Sequence, residues 1–139
     1  MPGTDPVADE LAIRNLIARM AHTVDRGAVE DYAPLLAPDA RWIMPMGDPA
    51  VGPAAIMDGV RARRAAGSAG PGSGTRHMIT TTLVEVDGAG DGDSARAWSY
   101  WVYVSTGDDP RILMNGLYTD TFRRTAGQWV FAERISSLD

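Results

Sequence analysis

A chain of 139 residues, 45% hydrophobic and 22% charged, is expected to fold as one compact domain over residues 1–139, which excludes global disorder and a fibrous repeat. Thirteen basic residues against eighteen acidic ones leave a net charge of −5, which argues against a non-specific binder of nucleic acid or of an anionic membrane. All the basic residues are arginine and cysteine is absent, so a lysine Schiff base, a thiol nucleophile, disulfides and cysteine-bound metal are excluded.

The N-terminal MPGTDPVADE has neither the basic region nor the apolar stretch of a secretory signal. No run approaches the ~20 apolar residues that cross a bilayer, so a soluble cytoplasmic protein is the expectation. Asp5 before Pro6 reads as an N-cap with proline at the first helical position. Ile13, Leu16, Ile17, Met20 and Val24 then form one apolar stripe, which predicts a helix from Val7 to Arg26 stopped by a left-handed Gly27. A shorter helical piece is expected from Val29 to Leu36, then a short strand from Ala40 to Met44. A third helix follows from Ala54 to Ala66, with Ile56, Met57 and Val60 inward and Arg61, Arg63 and Arg64 on its charged face.

Gly67 to Gly74 has the composition of a flexible loop, placed to act as a lid, and after it the period changes to two. Strands are expected at Arg76–Val86, Ser94–Ser105, Arg111–Arg124 and Gln128–Ser137, joined by connections short enough for antiparallel hairpins. Helices first and a four-strand meander last make an α+β arrangement, in which helices cover one face of a curved sheet and leave a pocket between. The strand RAWSYWVYV sets Trp98, Tyr100, Val102 and Val104 on one face and Ala97, Ser99, Trp101 and Tyr103 on the other. Aromatics on both faces suggest that a second subunit covers one of them, giving a homodimer.

Among groups that carry chemistry, only two histidines are present. His77 opens the first long strand and alternation sets it on one face with Ile79, Thr81 and Leu83, a position that suits either acid–base work or a hydrogen-bonded core histidine. Asp25 ends the first helix, where the dipole disfavours a free carboxylate; it is either a surface group or the partner that orients the imidazole. His22 lies almost opposite Ile13 and Met20 on the wheel, hence in solvent, and no HxxxH, HxH or HExxH spacing prearranges a metal site. The Asp87, Asp91, Asp93 cluster lacks the glutamate of a calcium loop and reads as a solvated turn. The glycine runs precede no phosphate-loop lysine, and no GxSxG elbow occurs.

Four segments, VDRGAVEDYAPLLAPDARW, VGPAAI, TRHMITT and GLYTDTFRRTAGQWVFAERI, together resemble the SnoaL-like family of the NTF2-like superfamily, with scytalone dehydratase and bile acid dehydratase relatives. The resemblance implies a cone of three helices on a curved, mostly antiparallel sheet around a pocket, frequent dimerisation through the outer sheet face, and no cofactor. In the dehydrating members the aspartate ending helix one and the histidine opening the first long strand are the acid–base pair, at positions matching Asp25 and His77. Where the family often carries a tyrosine five residues before that aspartate, this chain has Met20, and the second histidine of scytalone dehydratase falls at Val104 or a neighbour. Tyr118 matches a polar pocket position and completes the expected catalytic set, with Met20, Trp42, Thr81, Trp98, Tyr100 and Val104 lining the site. The implied function is a cofactor-independent dehydratase, isomerase or cyclase acting on a small apolar oxygenated molecule. Its alternatives are a non-catalytic carrier with the same pocket, and an epoxide-opening enzyme with Asp25 as base.

Overall fold

The computed structural model describes residues 5–87 and 92–138; Gly88, Gly90 and Asp91, of the turn expected from the sequence, lie outside them. Helix α1 spans Pro6–Arg26, a 3-10 helix Val29–Leu35, β1 Leu36–Ile43, β2 Ala50–Val51 and α2 Pro53–Ala65. Strands β3 Thr75–Val86, β4 Ser94–Ser105, β5 Ile112–Thr125 and β6 Gln128–Ser137 follow. They form an α+β fold whose six-stranded sheet has the order β2-β1-β6-β5-β4-β3. The meander β3 to β6 is antiparallel as expected. Two features were not anticipated: the two-residue β2, and the parallel pairing of β1 with β6, which makes the sheet mixed.

The helix signals act as their chemistry predicts at one end and differently at the other. Asp5 Oδ1 accepts the backbone N–H groups of Val7 and Ala8 at 3.0 and 3.3 Å, which starts α1. Gly27, however, is extended, with φ −84°. Its small size matters for another reason: a Cβ there would lie 3.0 Å from the Thr23 Cα. The α1 stripe of Ile13, Leu16, Ile17 and Met20 is buried in one core with Trp42, Ile56, Phe122 and Phe131. Among the described residues no helix is long and apolar enough to cross a membrane.

Along β3, alternation breaks at a bulge. Thr80 pairs with Tyr100 and Leu83 with Trp98, so three steps on β3 answer two on β4. Thr81 takes the extra residue with φ +48°. His77 and Ile79 therefore point inward with Thr82 and Val84, while Thr81 and Leu83 turn out, which corrects the expectation that His77, Thr81 and Leu83 share a face.

The first turn of α1 is clamped to the far end of the sheet. Arg124 donates to both carboxylate oxygens of Asp9 at 2.8 and 3.1 Å, and Trp129 Nε1 donates to Asp9 Oδ1 at 3.2 Å. The Arg124 hydrogen bonds hold the Asp9 carboxyl below its usual range, although burial opposes them. A carboxylate with a depressed folded pKa stabilises the fold fully above its unfolded value of about 4, and that contribution fades as pH falls. Asp9→Asn is expected to lower Tm at neutral pH and to flatten the acid limb of a Tm-versus-pH series; an acid limb of unchanged slope contradicts this account.

Candidate active site

Helix α1 packs across β3 and delivers its last turn to the start of that strand. Asp25 thereby meets His77 twice. Both carboxylate oxygens accept the His77 backbone N–H at 3.1 Å, and Oδ1 lies 2.8 Å from the ring Nδ1. An ionised carboxylate only accepts, so this contact places the proton of the neutral imidazole on Nδ1 and leaves the Nε2 lone pair uncommitted. The two side chains are 15% and 17% exposed, sheltered but reachable.

A cavity of about 510 Å³ borders the pair. Ala18, Ala21 and His22 of α1 line one side, Ile79 another, and Gly70, Gly72 and Gly74 the rim. His22 itself is exposed. The glycine loop is anchored rather than free. The Tyr103 hydroxyl donates to the Ser68 carbonyl, Thr106 N–H to the Gly74 carbonyl at 2.8 Å, and Ser68 N–H to the Arg63 carbonyl at 3.0 Å. Tyr103 pairs with His77 across the strands, their rings 5.1 Å apart, so the residue that fixes the loop also backs the imidazole.

Arg64, on the charged face of α2, is half-buried. Its Nη2 donates to the Thr23 and Val24 carbonyls at 3.0 and 3.3 Å, capping the end of α1 beside Asp25. Gly70, at φ +93°, lies on top of it: a Cβ there would come within 2.8 Å of Arg64 Nε. No helical-wheel pattern reveals that a loop glycine will cover an arginine. Arg63 is likewise half-buried, whereas Arg61 is exposed and paired with Asp58.

The third expected catalytic residue, Tyr118, sits two strands away on β5 and is buried. Its ring stacks on Trp101 at 5.8 Å, and the Arg134 guanidinium lies 3.7 Å from its centre. Burial raises the phenol above its ordinary pKa; the charge of Arg134 opposes this, while those of Asp120 and Asp25 add to it. No hydrogen bond joins Tyr118 to the dyad among the described residues. Arg134 is paired with Asp120 through two hydrogen bonds of 2.8 and 2.9 Å, both side chains buried.

The lining residues divide. Met20 is wholly buried and Trp42 packs edge-on against Phe131, both as core. Thr81, Trp98, Tyr100 and Val104 do not reach the dyad's face and are corrected here. Thr81 is turned outward by the bulge, and the other three alternate with the inward Ser99, Trp101 and Tyr103. Arg96 lies over the Trp98 ring at 5.5 Å, and Tyr100 is largely exposed. With aromatics on both sides of β4, sequence alternation separates two faces without saying which is inner. Trp101 and Tyr103 are the inner β4 residues it passed over, and the buried Tyr32 and half-buried Arg64 lie on elements to which it does not apply. Among the described residues no group of three His, Asp or Glu side chains gathers that could hold a metal.

A family model described as SnoaL-like domain matches residues 5–135. No curated protein matches the sequence. Among solved structures, a protein of unknown function with a cystatin-like fold from Nostoc punctiforme is 25% identical, with TM-score 0.81 over 100% of this chain and 96% of that one. An NTF2-like protein with a cystatin-like fold from Novosphingobium aromaticivorans is 27% identical, with TM-score 0.80 over 95% and 82%. A third, also from Novosphingobium aromaticivorans and provisionally designated a scytalone dehydratase, is 19% identical, with TM-score 0.71 over 94% and 83%. At that identity the likeness is one of fold.

Proposed function

Because the chain belongs to the SnoaL-like domain family, we propose that it is a cofactor-independent acid–base enzyme, of dehydratase, isomerase or cyclase type, acting on a small oxygenated molecule held beside His77. The observation that carries this reading is the 2.8 Å contact between Asp25 and His77 Nδ1 at the edge of a cavity. In the proposed step, Nε2 takes a proton from a carbon next to a carbonyl, and the C–H electron pair moves into an enolate. Asp25 stabilises the imidazolium so formed. Tyr118, kept protonated by its burial, donates to the enolate oxygen. The imidazolium then returns the proton, to a departing hydroxyl in a dehydration or to another carbon in an isomerisation.

The test is proton exchange in D2O with a panel of bicyclic aromatic ketones such as the tetralones. Deuterium is expected to enter the carbon beside the carbonyl in the presence of the protein, and His77→Ala is expected to remove the acceleration. Exchange at the buffer rate across the panel, together with ligand binding, favours a carrier.

We also propose that the outer sheet face joins two copies of the chain. Leu83, Tyr100 and Ile112 are 56%, 55% and 65% exposed there, an apolar surface of the kind that monomers cover. Leu83→Asp is expected to halve the mass seen by light scattering without lowering helix content; an unchanged mass rejects this interface.

A further inference from the structure

A long cationic side chain can cap the end of a helix from the surface while its charge stays in water. Arg64 is instead drawn inward, and its Nε is buried with no acceptor among the described residues. A buried donor left unpaired opposes folding, so this placement needs a reason. The reason lies in what the side chain's other nitrogen holds. Nη2 donates to the Thr23 and Val24 carbonyls at 3.0 and 3.3 Å. The Thr23 carbonyl also accepts the Gly27 N–H at 3.0 Å, whereas among the described residues Arg64 is the one donor that reaches the carbonyl of Val24.

That carbonyl and the Asp25 nitrogen belong to one planar peptide unit, so the bond from Arg64 fixes the plane from which Asp25 departs. Asp25 lies in the last turn of α1, where a helix without a cap frays. Its Oδ1 must stay within about 0.5 Å of its place to keep the 2.8 Å contact with His77 Nδ1. The same side chain supports the rim of the cavity. The chain leaves α2 just beyond Arg64 and returns at Gly70, which lines the cavity. A Cβ on Gly70 would lie 2.8 Å from both Cγ and Nε of Arg64, so the loop rests directly on it. The loop's other fixture is the Tyr103 hydroxyl on the Ser68 carbonyl, and the Tyr103 ring backs His77. Asp25 is thus reached through Arg64 and His77 through Tyr103, with one loop joining the two supports.

We propose that Arg64 is a positioning residue: roofed by Gly70, it holds the peptide between Val24 and Asp25 so that the carboxylate meets His77 Nδ1. It touches neither the substrate nor the reacting atoms. The inference rests on the acid–base reading for what the positioning serves, while the geometry it asserts is measurable without a substrate.

The test follows the His77 ring nitrogens and backbone amide by 15N NMR, at a pH where the ring is neutral, in Arg64→Met, Arg64→Lys, Gly70→Ala and Arg61→Met. Melting curves and deuterium entry into 1-tetralone are measured on the same samples. Arg64→Met is expected to mix the two His77 tautomers, to move its amide signal, and to lower the exchange rate at saturation about ten-fold with KM within about two-fold of native. Arg64→Lys keeps a cationic donor and is expected to restore the ring protonated on Nδ1, with a rate within about three-fold of native. Gly70→Ala, which displaces Arg64 without removing it, is expected to reproduce the mixing. Arg61 is exposed and paired with Asp58, so Arg61→Met is expected to change none of these readings. A cap that served stability alone would lower Tm and leave the ring as it is; an Arg64→Met ring indistinguishable from the native one therefore overturns the inference. Should Arg64→Met not fold, Gly70→Ala decides, and an unchanged tautomer there overturns it equally. Mixing in the variants of a protein whose native form exchanges no deuterium upholds the positioning and rejects the acid–base reading.

Discussion

Arg134→Met is expected to lower the free energy of unfolding by about 3–5 kcal/mol, a fall in Tm of roughly 10–20 °C for a chain of this size. Asp120 and Arg134 stand directly opposite each other on β5 and β6, with side chains 0% and 4% exposed. The guanidinium is also sandwiched, 3.7 Å from the Tyr118 ring and 5.3 Å from that of Trp42. Burial pushes the Asp120 carboxyl above its usual range even with Arg134 beside it, so the pair holds together a charge that the interior would otherwise reject. Removing the cation alone strands the carboxylate. Asp120→Leu combined with Arg134→Met is therefore expected to be more stable than Arg134→Met alone, because no unpaired charge remains. Chemical denaturation measures both; a single variant within about 1 kcal/mol of native contradicts the buried ion pair.

Turnover, read as deuterium entry into a bound ketone, is expected to fall about 100-fold or more in His77→Ala and by a similar factor in Asp25→Asn, equivalent to about 2.7 kcal/mol of barrier. The two effects should not add. Asp25 touches the reaction only through the imidazole, so the double variant is expected to be no slower than His77→Ala. The amide introduced by Asp25→Asn keeps an oxygen that can accept the His77 backbone N–H, so the joint between α1 and β3 should survive and the melting curve should change little. A double variant slowed by the product of the two single factors would mean that Asp25 acts on the substrate directly, as in the epoxide-opening alternative.

Local chemistry made the elements legible. Asp5 with Pro6 started α1 where the sequence placed it, and β4 and β6 have the bounds that alternation predicted. The dyad was within reach for a related reason: each partner lies at the end of a well-marked element, and the family resemblance joined the two. What failed was anything decided by a contact distant in sequence. Thr81 was assigned inward because a period of two carries through a strand unless a bulge intervenes, and nothing in TRHMITT announces one. Alternation does not separate Trp98 and Tyr100 from Trp101 and Tyr103 as pocket residues, because both faces of β4 are aromatic and only the helices decide which face is covered. Arg64 reads only as part of a charged helix face because the wheel does not show the Gly70 loop folding over it. The parallel pairing of β1 with β6 joins segments about ninety residues apart in the chain, beyond any local pattern.

The central claim is that Asp25 fixes His77 as a base with its lone pair on Nε2. Ring nitrogen shifts from a 15N-labelled sample measure this directly, with no substrate required. In its neutral form the His77 ring of the native protein is expected to carry the proton on Nδ1 with Nε2 bare, and Asp25→Asn is expected to mix the two tautomers. A native ring protonated on Nε2, or a tautomer indifferent to Asp25→Asn, would contradict the account.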